Sequence, residues 1–246
     1  MSCDHDHDHH GDSAGVPWQA RELTGGGFGG DRGRSDPAVL AALGDGDEEA
    51  LMAVLAPSRL LVPVVAVPGE AAEGPQGQVG DQRADLAVVT LTAPDGERAM
   101  PVFTGVEALA TWDGAARPVP VTTAAAAQGA IQDGCDVMLV DLGSAHQRVL
   151  RASMVWALAM GRTWVSPHRD EHVLAAVAVA VRDEPEVTRH TCEAGHEPGV
   201  LRVVLHLRPG LDEAAVAALA TRVGERLAAD GELRARIDGL AFVVTS

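Results

Sequence analysis

The chain has 246 residues, 46% of them hydrophobic, which is enough to bury a real core in one large domain or two smaller ones. Its 19 basic residues face 35 acidic ones, a net charge of −16 that repels nucleic-acid phosphates and anionic membrane surfaces. Every basic residue is arginine, and lysine, tyrosine and asparagine are all missing, so a Walker A lysine, a Schiff-base lysine, a tyrosine acid or base and N-glycosylation are excluded.

Cys3, Cys135 and Cys192 form no C-x-x-C pair, and an odd, small number suits a reducing cytosol rather than a disulfide framework. The N-terminus is acidic and polar, without the apolar stretch of a signal peptide. The longest apolar run, Val173–Val181, is too short for a bilayer, which takes ~20 residues. These observations predict a cytoplasmic protein with no membrane or nucleic-acid partner and no required cofactor.

Residues Met1–Gly15 read as a disordered tail rich in Asp and His, lacking the apolar residues that offset ordering entropy. Trp18, Leu23 and Phe28 are spaced like anchors of a docked arm over residues 16–35. Asp36-Pro37 is a helix start, with Asp as N-cap and Pro at the first helical position, and Gly44 is its predicted end. A second helix is predicted over Asp47–Leu55, with acids in its first turn. Arg59–Val67 reads as a buried strand, placed at an edge or a bulge by Pro63.

Gly69–Arg83 is a loop by composition, and Asp85–Thr92 with Arg98–Phe103 is a hairpin around Asp95-Gly96. Thr104 can cap a short helix ending at Trp112. A strand follows at Val119 and Val121, then an Ala-rich helix over Thr123–Gln132. Asp136–Leu142 and Gln147–Leu150 are a strand pair, and Ala152–Met160 and Glu171–Val181 are helices. Asp183-Glu184-Pro185-Glu186 marks a domain boundary between residues 184 and 185. Beyond it come strands at Val187–Cys192 and Val200–Leu207, then a helix burying Val216, Leu219, Val223 and Leu227, then a strand at Leu240–Thr245. That ββαβ order suits a small α+β domain whose helix covers an antiparallel sheet.

Four imidazoles of the tail, His5, His7, His9 and His10, alternate with carboxylates and suit adventitious Zn, Ni or Cu. His190, Cys192 and His196 are three potential ligands within seven residues. On a strand, His190 and Cys192 share a face, which could begin a metal site or a Cys/His nucleophile pair; the plain alternative is a partly exposed hairpin strand. His168 and His172 are four apart, but Asp170 reads as an N-cap that leaves His168 in the loop. Gly25–Gly33 follows no predicted strand and so fails as a phosphate-binding fingerprint. Ser144 with His146 lacks a nucleophile elbow. An exposed Trp164 beside Arg162 would suit a partner hot spot.

The stretches PVFTGVEALATW (Pro101–Trp112), DVMLVDLGS (Asp136–Ser144) and WALAMGRTW (Trp156–Trp164) resemble the SseB, or enhanced serine sensitivity, family in its actinobacterial form. The resemblance runs from Pro17 onward and implies an SseB-like N-terminal domain over 36–184 and an SseB-like C-terminal domain over 185–246. It also implies a link to serine or amino-acid metabolism, without catalytic residues to carry over. The predicted fold class is α+β, a mixed or antiparallel sheet with helices followed by a smaller ββαβ unit. The function expected is a non-enzymatic regulatory or protein-interaction module. The alternatives are a metal-binding protein using the tail and a Cys-dependent enzyme using Cys192.

Overall fold

Asp36 starts the first helix as its chemistry predicts: its carboxylate accepts from the Ala38 N–H at 2.8 Å, and Pro37 follows. The chain is seen here in a computed structural model that describes residues 28–67 and 85–245. The Asp/His tail, with His5, His7, His9 and His10, most of the arm and the Gly69–Arg83 loop lie outside the described residues. Residues 1–32 form a separate unit, of which Phe28–Arg32 is described as a turn closed by the Asp31 N–H on the Phe28 carbonyl.

From Gly33 onward the fold is α+β. Helix α1 (Pro37–Asp45) ends at Gly46, whose φ of 84° is the left-handed C-cap conformation, so Gly44 is helical and the stop comes two residues later than predicted. Helix α2 (Glu48–Leu55) is capped by Asp47 and carries Glu48 and Glu49 in its first turn. Strand β1 (Arg59–Val67) is the middle of a three-stranded sheet, between β2 (Asp85–Val88) and β5 (Arg117–Thr122). The expectation that Pro63 marks an edge or a bulge is therefore corrected.

The reason is register. Pro63 stands opposite Pro118 in a position where neither would donate to the other. Its carbonyl accepts from the Val89 N–H on the β2 side, and the donor it lacks falls at the last rung of that ladder. Pro118 and Pro120 turn their donor-free side to the outer edge of β5, where missing N–H groups discourage further pairing.

The second sheet has the order β3-β4-β6-β7, with β3 at Leu91–Thr92, β4 at Arg98–Val102, β6 at Val137–Val140 and β7 at Arg148–Leu150. The predicted first hairpin strand is split: its front half pairs with β1, and only Leu91 and Thr92 pair back onto β4. Pro101 stands where the edge of β4 changes partner, between β3 and an antiparallel bridge from Phe103 to Leu61. Strands β4 and β6 run parallel, joined through α3 (Val106–Trp112), β5 and α4 (Thr123–Gln132). The fully buried side chains of Leu43, Leu55, Leu60, Met138, Leu150 and Met154 build one core, with α5 (Ala152–Ala159) packed on α4.

A second core joins α6 (Glu171–Val181) to the C-terminal elements. Its sheet has the order β10-β9-β8, with β8 at Val187–Ala194, β9 at Val200–Leu207 and β10 at Gly239–Thr245. Helix α7 (Glu213–Ala229) turns Leu219, Val223 and Leu227 onto it, each ~1.5–3 kcal/mol of apolar burial. A short helix, α8 (Gly231–Arg234), follows. The sheet is mixed rather than antiparallel: β8 and β9 are antiparallel, but β9 and β10 are parallel. A helix spanning β9 to β10 carries the chain back to its starting end, which makes the next strand parallel. Helix α6 packs with this core although it precedes the Asp183–Glu186 break. Among the described residues no helix is long and apolar enough to cross a membrane.

Candidate functional site

Helix α5 begins at Arg151, whose own side chain does not cap it. The cap comes from Asp238, in the turn before β10: one carboxylate oxygen accepts from the Ser153 N–H at 2.7 Å, the other from the Ser153 hydroxyl at 2.9 Å. Arg151 donates through Nε to Asp238 at 2.9 Å and through both terminal nitrogens to Glu48 at 2.6 and 2.8 Å. Trp164 donates its indole N–H to the Ser153 hydroxyl at 3.0 Å, and its ring centroid lies 6.0 Å from the Arg151 guanidinium carbon. Burial alone would lower the Arg151 pKa; its hydrogen bonds to Glu48 and Asp238 outweigh that and hold the guanidinium firmly charged. One cation and two carboxylates thus clasp α2, α5 and the turn before β10 together.

Gly199 closes this clasp. Its φ is +79°, and a Cβ there would stand 2.1 Å from Asp238 Oδ2 and 2.6 Å from Arg151 Nε. Its carbonyl accepts from the Asp238 N–H at 3.1 Å. Only glycine allows that approach.

Beside the clasp lies a cavity of about 270 Å³, lined among others by Glu48, Trp164, Ser166, His168, His196 and Glu197. A larger groove, about 390 Å³, runs between α6 and α7, but its lining is mostly alanine, valine and leucine. Its charged groups already have partners: His172 faces Asp230 at 3.8 Å, and Arg226 pairs with Glu184.

The candidate ligands predicted from sequence are only partly gathered. Cys192 stands opposite Val203 on β9 and packs against the second core, and burial pushes its thiol up, away from a reactive thiolate. His190 stands opposite Leu205 on the same strand, while His196 sits on the exposed turn that lines the cavity. Among the described residues no group of three or more His, Cys, Asp or Glu is placed to hold a metal ion.

The expectation of an exposed Trp164 is corrected: it is 5% exposed, because its N–H is held by Ser153 and its ring lies under Arg151. Among the described residues the exposed tryptophan is Trp156, 40% accessible, with Met160 at 53% one turn further along. Arg162 is half-buried at the end of α5, its Nη2 reaching the Ala235 carbonyl at 3.4 Å, and its Nε is buried without a partner. Burial, then the nearby Arg236, lowers its pKa.

One polar node was missed by sequence reasoning. Asp141 follows β6, is 1% exposed and has a φ of +50°. Its carboxylate accepts from the Thr104 N–H and hydroxyl, both at 2.7 Å, and Ser35 hydrogen-bonds the same hydroxyl. Thr104 is therefore committed to Asp141 and does not cap α3, whose N-cap is Gly105. The signal available was an Asp directly after a buried strand, where a short polar side chain tolerates the left-handed conformation.

Residues 37–157 match the SseB protein N-terminal domain. No curated protein and no solved structure matches the chain.

Proposed function

The chain belongs to the SseB family through residues 37–157, and from that premise we propose that it is a non-enzymatic regulatory module that works by binding another protein. The observation that carries the reading is the pair Trp156 and Met160, exposed one turn apart, Trp156 on α5 at the end of the matched residues and Met160 the C-cap of that helix just beyond them. Trp and Met are enriched at interface centres. The family's serine-sensitivity name supports a link to amino-acid metabolism, and the small, odd number of cysteines supports a cytoplasmic setting. The Cys-dependent alternative is weakened by the burial that pushes the Cys192 thiol up. Metal binding by the tail rests on its sequence alone.

The test is quantitative capture from host-cell extract, comparing the intact chain with a Trp156→Ala, Met160→Ala variant. Both side chains are partly buried, so the thermal melt of the variant is compared with that of the intact chain before capture is read. A partner that depends on this face binds the variant at least ~30-fold more weakly, the loss that a hot-spot tryptophan causes. Capture profiles that do not change between the two proteins would remove the support for this surface.

A further inference from the structure

The cavity beside the Arg151 clasp has the properties of a site rather than of a packing gap. One side of it is fixed: of its lining residues, Glu48 accepts two hydrogen bonds from Arg151, and Gly199 is pressed so closely against Arg151 and Asp238 that no side chain could intervene. Its walls carry polar side chains that no protein group occupies, those of His196 and Glu197 being open to solvent. Among the described residues the side chains of Ser166, His168, His196 and Glu197 make no hydrogen bond or ion pair, yet all four line the same 270 Å³. Glu48, with its side chain 38% exposed, accepts one hydrogen bond at each oxygen from Arg151 and keeps lone pairs free for a further donor. The α6–α7 groove differs on this point, because its charged groups pair with one another.

Charge selects the ligand. Glu48 and Glu197 are the two carboxylates among the lining residues, and no arginine lines the cavity. Its lining therefore favours cations. A bare metal ion would need three or more converging ligands, and none of the described clusters provides them. A protonated amine needs only two or three acceptors in a half-open space. Glu48, Glu197 and the Ser166 hydroxyl are such acceptors, while the His168 and His196 imidazoles can donate to, or accept from, a second polar group. A volume slightly under the ~300–1,000 Å³ usual for ligand pockets suits a small metabolite rather than a large ligand.

We infer that this cavity binds a small primary amine carrying one further polar group, such as an amino alcohol, an amino acid or a short diamine. The site lies at the clasp between the two cores, so an occupant that draws on Glu48 acts directly on the Arg151 contacts. The inference is independent of the Trp156 surface: it stands or falls on ligand binding, not on protein capture.

The experiment is calorimetric titration and thermal shift of the full chain with ethanolamine, serine and 1,3-diaminopropane, set against the amine-free analogues ethylene glycol and glycolate. The expected result is binding and a raised Tm with one or more amines and none with the analogues. Glu197→Gln, and separately the pair His168→Gln, His196→Gln, should each weaken it at least tenfold. These side chains have no partners in the fold, so the variants should keep the unliganded Tm. Serine alone in binding would identify an amino-acid site, and the diamine alone a polyamine-like one. Equal response to amines and analogues, no response at millimolar amine, or undiminished binding by both variants would overturn the inference.

Discussion

Replacing Gly199 by alanine tests the clasp directly. Two effects separate. Alanine at a φ of +79° carries ~1–2 kcal/mol of left-handed strain, offset by the ~0.4–1 kcal/mol gained from a stiffer unfolded chain. The second effect is steric: a Cβ 2.1 Å from Asp238 Oδ2 forces that carboxylate away from Arg151 and Ser153. Hydrogen bonds to charged groups contribute ~1.5–3 kcal/mol each, and at least one of them must lengthen. The expected loss for Gly199→Ala is therefore about 3–4 kcal/mol. Gly143 provides the control, with a φ of +80° and nothing within 4 Å of its would-be Cβ, so Gly143→Ala should cost only about 1 kcal/mol.

Urea unfolding followed by tryptophan fluorescence measures both, since Trp164 reports on the clasp. With a slope of ~2 kcal/mol/M, the two midpoints should differ by roughly 1 M. Adding Asp238→Ala to each background completes the comparison: the excess cost at Gly199 should disappear once the carboxylate it strikes is gone. Gly199→Ala and Gly143→Ala agreeing within ~0.5 kcal/mol would refute the clasp as a close-packed element.

Asp141→Ala leaves the buried Thr104 N–H without a partner and should cost ~2–4 kcal/mol by urea midpoint, whereas Asp141→Asn, which tolerates a φ of +50°, should cost less. Glu184, 4% exposed, bonds Arg222 and Arg226 at 2.5 and 2.8 Å; the Arg222 hydrogen bond leads in holding its pKa down against burial. A depressed carboxyl contributes stability above its unfolded-state pKa and loses it as pH falls through the lower native value. Urea midpoints of the intact chain should therefore fall more steeply below the ordinary carboxylate range than those of Glu184→Gln, and parallel curves would count against the triad. Cys192, its thiol pushed up by burial, should react with a thiol reagent at neutral pH far more slowly than the same chain in denaturing urea; equal rates would point to an activated thiolate.

What the sequence made legible follows from how local each cause is. The caps Asp36, Asp47 and Asp170 act within three residues of themselves, and the structure places helices where they stand. Apolar periodicity likewise located α7, because it buries one stripe of a single helix. The misreadings have non-local causes. Pro63 looks like an edge residue until its register opposite Pro118 and Val89 is known. Trp164 looks like a free surface anchor until Ser153 and Arg151 are brought to it.

The candidate site has the same character. Glu48, Arg151 and Asp238 belong to three segments of ordinary appearance, and nothing in the spacing of Asp238 shows that it caps a helix beginning at Ala152. What fixes the clasp is the meeting of a helix that cannot cap itself, a turn that needs a glycine, and a carboxylate that needs a cation. Each requirement is met by a residue outside its own segment, so replacing any one of them leaves a buried polar group unpaired. The same dependence explains why the unpaired groups collect at its edge. The side chains of Ser166, His168, His196 and Glu197 are presented by segments beside the clasp, that of Ser166 held by its N–H on Glu49, and they satisfy none of the clasp's bonds. They are polar groups of this region that folding does not use, which leaves them available to a ligand.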